Sequence, residues 1–137
     1  MKKVLAGGTF NLLHPGHVLF LEKARELGGY LVVVVASDRT VLRRKGFLLM
    51  KAADRKKMLE SLRMVDKAVI GDGKDFMKVV RKERPDIIAL GFDQELDEGM
   101  RKQIESIGIK TIRIRSRAAG YKTEDILKPF GIGKLSR

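Results

Sequence analysis

The sequence contains no cysteine, three prolines and two histidines in 137 residues. Without cysteine there are no disulfides and no thiolate metal sites. Aromatic residues make up 6% of the chain, and no run of them alternates with Lys and Arg. That excludes the interleaved pattern on which single-stranded bases stack. No apolar run nears the roughly 18 residues of a membrane span; the longest, Tyr30 to Ala36, has the length of a strand. The first strand is not followed by G-x-G-x-x-G, which argues against a dinucleotide-dependent dehydrogenase. There is no paired carboxylate cage, so no metal ligand is named. No repeat, low-complexity stretch or linker divides the chain. Met1-Lys2-Lys3 runs straight into an apolar segment. That leaves no room for a secretory leader, and the expected location is cytoplasmic.

What is present is charge and one unusual loop. The formal net charge is +12 and 34% of residues are charged. Such a surface suits nucleic acid, a polyphosphate ligand, or simple solvation. Because the basic residues are spread along the chain and mixed with acids, nucleic-acid binding is the less favoured of these. The length suits one domain, drawn at residues 1–130 with a tail at 131–137. Hydrophobic content of 44% is enough for a core.

The loop is Gly7-Gly8-Thr9-Phe10-Asn11-Leu12-Leu13-His14-Pro15-Gly16-His17, and it holds both histidines. It follows Val4-Leu5-Ala6, which reads as a buried strand. It precedes a helical pattern with Phe20, Leu21, Ala24 and Leu27 on one face. A strand-to-helix loop in an open parallel sheet lies on the edge where ligands bind. Pro15 fits the first helical turn, so His14 and His17 fall on neighbouring positions of that turn. Free backbone N–H groups and the positive end of the helix dipole are expected to face the same spot, which favours phosphate. Donors fixed there suit displacement at a nucleotide α-phosphorus, where charge builds on phosphoryl oxygens. Read as plain structure, the stretch is a glycine-rich turn with two incidental histidines.

Further along, Gly28-Gly29 reads as a helix cap and turn, and Tyr30 to Ala36 as a strand covered on both faces. Ser37 to Thr40 closes that strand. Val41 to Met50 shows neither period; it is expected to be a loop with a basic root and an apolar tip, as a lid, a dimer contact or a core element. Lys51 to Arg63 reads as a helix with Met58, Leu59 and Leu62 inward. Lys67 to Ile70 is a strand, Asp75 to Glu83 a helix, and Asp86 to Leu90 a strand. Leu96, Met100, Ile104 and Ile107 mark one helical stripe, and Ile109 to Arg115 is a fifth strand. Thr123 is a plausible cap for a short last helix that Pro129 and Gly131 end. The order implies an α/β fold with one doubly wound parallel sheet.

His14-Pro15-Gly16-His17, preceded by Gly8-Thr9-Phe10-Asn11, resembles the H-x-G-H signature of the nucleotidyltransferase superfamily of small cytidylyltransferases, phosphopantetheine and nicotinamide-mononucleotide adenylyltransferases, and archaeal-type FAD synthases. Many of those proteins have Asp where this chain has Asn11. The resemblance covers roughly residues 1–126 and implies a Rossmann-like sheet with strand order 3-2-1-4-5. Leu90-Gly91-Phe92-Asp93-Gln94, with Arg115 and Gly120-Tyr121-Lys122, looks most like archaeal FAD synthase. It implies ATP and FMN as substrates, Mg²⁺ entering with the triphosphate, and a homodimer to which Phe47 to Met50 contribute.

The resemblance also implies roles. His14, His17 and Lys45 would be catalytic. Gly8, Thr9, Phe10, Asn11, Gly16, Gly91, Asp93, Arg115 and Thr123 would form the nucleotide and phosphate site. Lys45 would arrive on a mobile loop. Arg55 matches a basic position of relatives, or is an ordinary surface residue. Asp93 also reads as a helix cap, and Thr123 and Arg115 as a plain cap and a solvated cation. The alternatives are a CTP-dependent glycerol-3-phosphate cytidylyltransferase, a phosphopantetheine adenylyltransferase, or a nucleotide-binding regulator or nucleic-acid-binding protein without turnover.

Overall fold

A computed structural model of the chain describes residues 1–115 and 126–131. Five parallel strands form one sheet: β1 (Lys2–Gly8), β2 (Gly29–Val35), β3 (Lys67–Ile70), β4 (Ile87–Leu90) and β5 (Lys110–Arg113). Their spatial order is β3-β2-β1-β4-β5, as the resemblance implies. The order reverses at β1, whose register runs from Lys2 opposite Gly29 to Gly8 opposite Val35, and which pairs on its other side with β4. Ligand crevices of open α/β sheets form at that reversal, beyond the carboxyl ends of the strands.

Side chains alternate across the sheet even within the continuous apolar run of β2. Val4, Ala6, Leu31, Val33 and Val35 pack on one face with Leu21 and Ala24 of α1 (Pro15–Glu26) and Leu59 of α3 (Ala52–Glu60). Leu5, Val32 and Val34 pack on the other with Met77 and Val80 of α4 (Phe76–Glu83) and Ile104 of α5 (Glu98–Ser106). Each fully buried aliphatic side chain in these layers contributes about 1.5–3 kcal/mol. Phe20 and Leu27 are half-buried against the first layer, as the helical spacing predicts.

Residues 37–50 differ from the expectation. Asp38–Lys45 is a helix, α2, capped by the Ser37 hydroxyl, which accepts from the Thr40 N–H at 3.2 Å. Its eight residues bury only Thr40 and Val41, so no apolar stripe announces it. Gly46 stops it in the left-handed region at φ 81°, with its N–H on the Leu42 carbonyl.

Three smaller corrections follow from facing. Met58 is 40% exposed, because α3 turns Ala52, Arg55 and Leu59 inward. Ile107 is 55% exposed, lying just past the end of α5. The cap of α5 is Asp97, not Asp93; its carboxylate accepts from the Met100 N–H at 2.8 Å. At the other end of the chain, Lys128–Phe130 is a 3₁₀ turn, closed by Gly131 at φ 73°. Among the described residues no helix is long and apolar enough to cross a membrane.

Candidate active site

Gly8 ends β1, and the chain then turns sharply. Phe10 sits at φ 48°, in the left-handed region, which costs a non-glycine residue about 1–2 kcal/mol. Burial to 4% exposure offsets that cost. Its ring lies so close to Gly8 that a Cβ there would fall 3.0 Å from two ring carbons. The same ring packs tilted against His17, centroids 5.2 Å apart. Phe10 therefore shapes the loop and fixes one wall for the second histidine.

His14 is the N-cap of α1 in extended backbone. Its Nδ1 accepts the Gly16 N–H at 3.0 Å, while the His14 N–H donates to His17 Nδ1 at 3.2 Å. This is a capping box in which two imidazoles replace the usual hydroxyl and carboxylate. The His17 N–H is bonded to the His14 carbonyl at 2.9 Å. Pro15 has no N–H. The expectation of free backbone donors at this helix end is therefore corrected: His14, Gly16 and His17 all commit theirs within the turn.

The rings take over that role. Because each Nδ1 accepts from a backbone N–H, each neutral ring carries its proton on Nε2. At this helix end the amides of His14, Gly16 and His17 are committed, and the ring donors are the two Nε2–H groups. The rings stack with centroids 3.8 Å apart and planes 26° apart. Burial first, then neighbouring His14 and the Lys45 ammonium, push the His17 imidazole down to about 4. Burial also lowers His14. Two stacked neutral rings avoid the repulsion that two imidazolium ions would suffer. No acidic residue lies in the first turn of α1 to cancel its positive end.

Lys45 ends α2 rather than riding on a mobile loop. Its charge is one of the influences that hold the His17 imidazole low, after burial and His14. It makes no ion pair with any described residue. The segment beyond it is docked. Asn11, 2% exposed, donates its amide to the Phe47 carbonyl at 3.2 Å and accepts the Leu49 N–H at 2.9 Å. The Asn11 side chain is thus directed to this segment and away from solvent.

Arg55 is not a surface residue; it is 1% exposed. It donates to the Thr9 carbonyl at 2.7 Å, the Met50 carbonyl at 2.9 Å and the Asp38 carboxylate at 2.8 Å. Asp38 also accepts the Ala52 N–H at 2.7 Å. One guanidinium thereby joins the histidine loop, the start of α2 and the start of α3.

On the other side of β1, the Gln94 amide bridges two strand ends. It accepts the Gly91 N–H at 2.8 Å and donates to the Gly7 carbonyl at 2.9 Å. Arg113 donates to the carbonyls of Gly91 at 2.8 Å and Gln94 at 2.7 Å, and to the Glu95 carboxylate. The motif reading weighed Gly91 and Asp93 and passed over Gln94 as a site builder. A long polar side chain in a turn has no periodicity to mark it. Asp93 is exposed in this turn, and Arg115 is exposed just beyond β5 on the same edge. Thr123, with Gly120, Tyr121 and Lys122, lies outside the described residues.

Comparison with known proteins places the chain in a family. The model of the cytidylyltransferase-like family matches residues 5–128. An FAD synthase from Ferroglobus placidus is 47% identical over 119 residues, covering 86% of this chain and 78% of that protein. One from Aciduliprofundum boonei is 50% identical over 121 residues, covering 84% and 79%. Among solved structures, the lipopolysaccharide core biosynthesis protein from Thermoplasma volcanium is similar with a TM-score of 0.76 and 39% identity, over 86% of this chain and 98% of that one. With the family model spanning most of the sequence and the paired histidines seated at the reversal of the sheet, the chain belongs to the cytidylyltransferase-like family.

Proposed function

We propose that this chain is an FMN adenylyltransferase that joins AMP from ATP to FMN and releases pyrophosphate. The observation that carries the reaction class is the stacked His14–His17 pair, each Nδ1 accepting a backbone N–H. The FAD synthases at 47% and 50% identity support FMN as acceptor and ATP as donor.

In this reading an FMN phosphate oxygen attacks the α-phosphorus in line. The bond from that phosphorus to the β-phosphate oxygen breaks, and pyrophosphate leaves with the electron pair. No protein nucleophile is required. Neutral imidazole donors stabilise charge on the transferring oxygens without having to lose a proton. Thr9 stands beside them in the loop, and Gly8, Phe10 and Gly16 keep the loop close. Lys45 and Thr123 hold the rest of the triphosphate, with Arg115 as a further phosphate contact. The Gly91–Gln94 turn takes the nucleoside, with Asp93 accepting from a ribose hydroxyl. The catalytic domain in this reading is residues 1–130.

Among the described residues no three His, Asp or Glu side chains gather to hold a metal ion. Mg²⁺ enters as part of the Mg–ATP substrate, held by phosphate oxygens and water. A cytoplasmic homodimer remains part of the proposal; Leu49, 39% exposed, belongs to the segment it would use.

The test is pyrophosphate release with Mg²⁺, crossing ATP and CTP against FMN, glycerol 3-phosphate and phosphopantetheine, with FAD followed by chromatography. Signal with ATP plus FMN alone is expected. Signal with another pair would replace the acceptor and keep the reaction class. Silence with every pair, alongside measurable nucleotide binding, would favour a regulator.

A further inference from the structure

The two hydrogen bonds of Asn11 run in opposite directions, to a carbonyl and from an N–H of the same short segment. Only a side chain with both a donor and an acceptor satisfies both. The pinned residues, Phe47 and Leu49, follow Lys45 by two and four positions, with the left-handed Gly46 between. Arg55 pins the next residue, Met50. Three consecutive anchor points leave the end of α2 little freedom to swing, while nothing in the described structure holds the Lys45 ammonium itself. The backbone around the lysine is thus held from the histidine loop and from Arg55.

Resting on the nucleotidyl-transfer reading, we propose that Asn11 is a positioning residue that fixes the end of α2, and with it Lys45, relative to the histidine loop by clamping the Phe47–Leu49 backbone. An aspartate here would keep the Leu49 bond but set a carboxylate against the Phe47 carbonyl. Asn11 is thus not replaceable by an aspartate.

The experiment compares Asn11→Ala, Asn11→Asp, Lys45→Ala and the Asn11→Ala/Lys45→Ala double variant. Misplacing a charged group by about 1 Å costs up to about a hundredfold. Asn11→Ala and Asn11→Asp are each expected to lose roughly ten- to a hundredfold in kcat/KM for ATP. The double variant is expected to be no worse than Lys45→Ala. Multiplied losses in the double variant, or wild-type kinetics in Asn11→Asp, would overturn the proposal.

A second readout needs no turnover. The His17 ring, followed by NMR, senses Lys45. Its titration midpoint is expected to rise in Lys45→Ala and in Asn11→Ala, and to rise no further in the double variant. An unchanged midpoint in folded Asn11→Ala or Asn11→Asp would leave Asn11 a structural role only, overturning the proposal. If the wild type turned over no substrate pair, the reaction reading would fail while this titration still decided the Asn11 link.

Discussion

The Arg55 guanidinium donates to the Thr9 carbonyl at 2.7 Å, across 46 residues of sequence. That bond ties the histidine loop to the second and third helices. Replacing Arg55 by Ala would strand the half-buried carbonyls of Thr9 and Met50 and leave a cavity. Asp38 keeps its contact with water, its side chain being 43% exposed, so the loss is smaller than for a fully buried pair. A cost of about 2–4 kcal/mol is expected. Asp38→Asn keeps an acceptor for the Ala52 N–H and is expected to cost about 1 kcal/mol. Urea unfolding followed by circular dichroism measures both; equal costs would contradict the central place given to Arg55.

His14 and His17 are expected to differ in what they cost. Either change to Ala removes one phosphate-facing donor and lowers kcat roughly a hundredfold or more. His14→Ala also removes the side-chain cap of α1, worth about 1 kcal/mol. Steady-state kinetics beside thermal unfolding separates the two effects. Near-normal kcat in both variants would sink the site assignment.

Acid is expected to act through the same pair. Native His17 takes up its proton at about 4, whereas its unfolded value is near 6.5. Between those values the unfolded chain binds more protons, so lowering the pH favours unfolding in that window. His14 shifts in the same direction. A proton on His17 Nδ1 also displaces the His14 N–H and breaks the capping box. Turnover should hold from about pH 8 to about pH 5 and fall below that. A midpoint near 6.5 in a pH–rate profile would mean that the ring titrates as if exposed.

Gln94→Glu tests the bridge between the two strand-end turns. The carboxylate still accepts from the Gly91 N–H but faces the Gly7 carbonyl without a donor. Destabilisation by about 1–3 kcal/mol is expected, together with a higher KM for the nucleotide. An unchanged KM would show that the bridge shapes the fold alone.

Gly28 is held by close approach, not by its dihedral angles. A Cβ there would lie 2.5 Å from the Lys2 carbonyl oxygen, which is backbone and cannot swing aside. Gly28→Ala is expected to cost about 1–3 kcal/mol. A melting temperature equal to wild type would contradict this packing.

The sequence alone determined the parallel sheet, because β-branched runs alternate with 3.6-residue stripes at Leu21, Ala24 and Ile104. It also located the paired histidines, since Pro15 opens a helix between them and a glycine-rich strand end precedes them. Local patterns suffice there, because each is written in neighbouring residues. The second helix escaped that reading. Val41 and Thr40 are its only buried residues, so its stability comes from Ser37, Gly46 and contacts distant in sequence. The partners of Arg55, Asn11 and Gln94 escaped it too, since they lie 46, 36 and 87 residues away. Whether a polar side chain meets solvent or a backbone group from another loop depends on which loops the sheet order brings together. Only the tertiary structure decided, by that juxtaposition, that Asn11 clamps the segment after Lys45 and that Arg55 ties the histidine loop to the second and third helices.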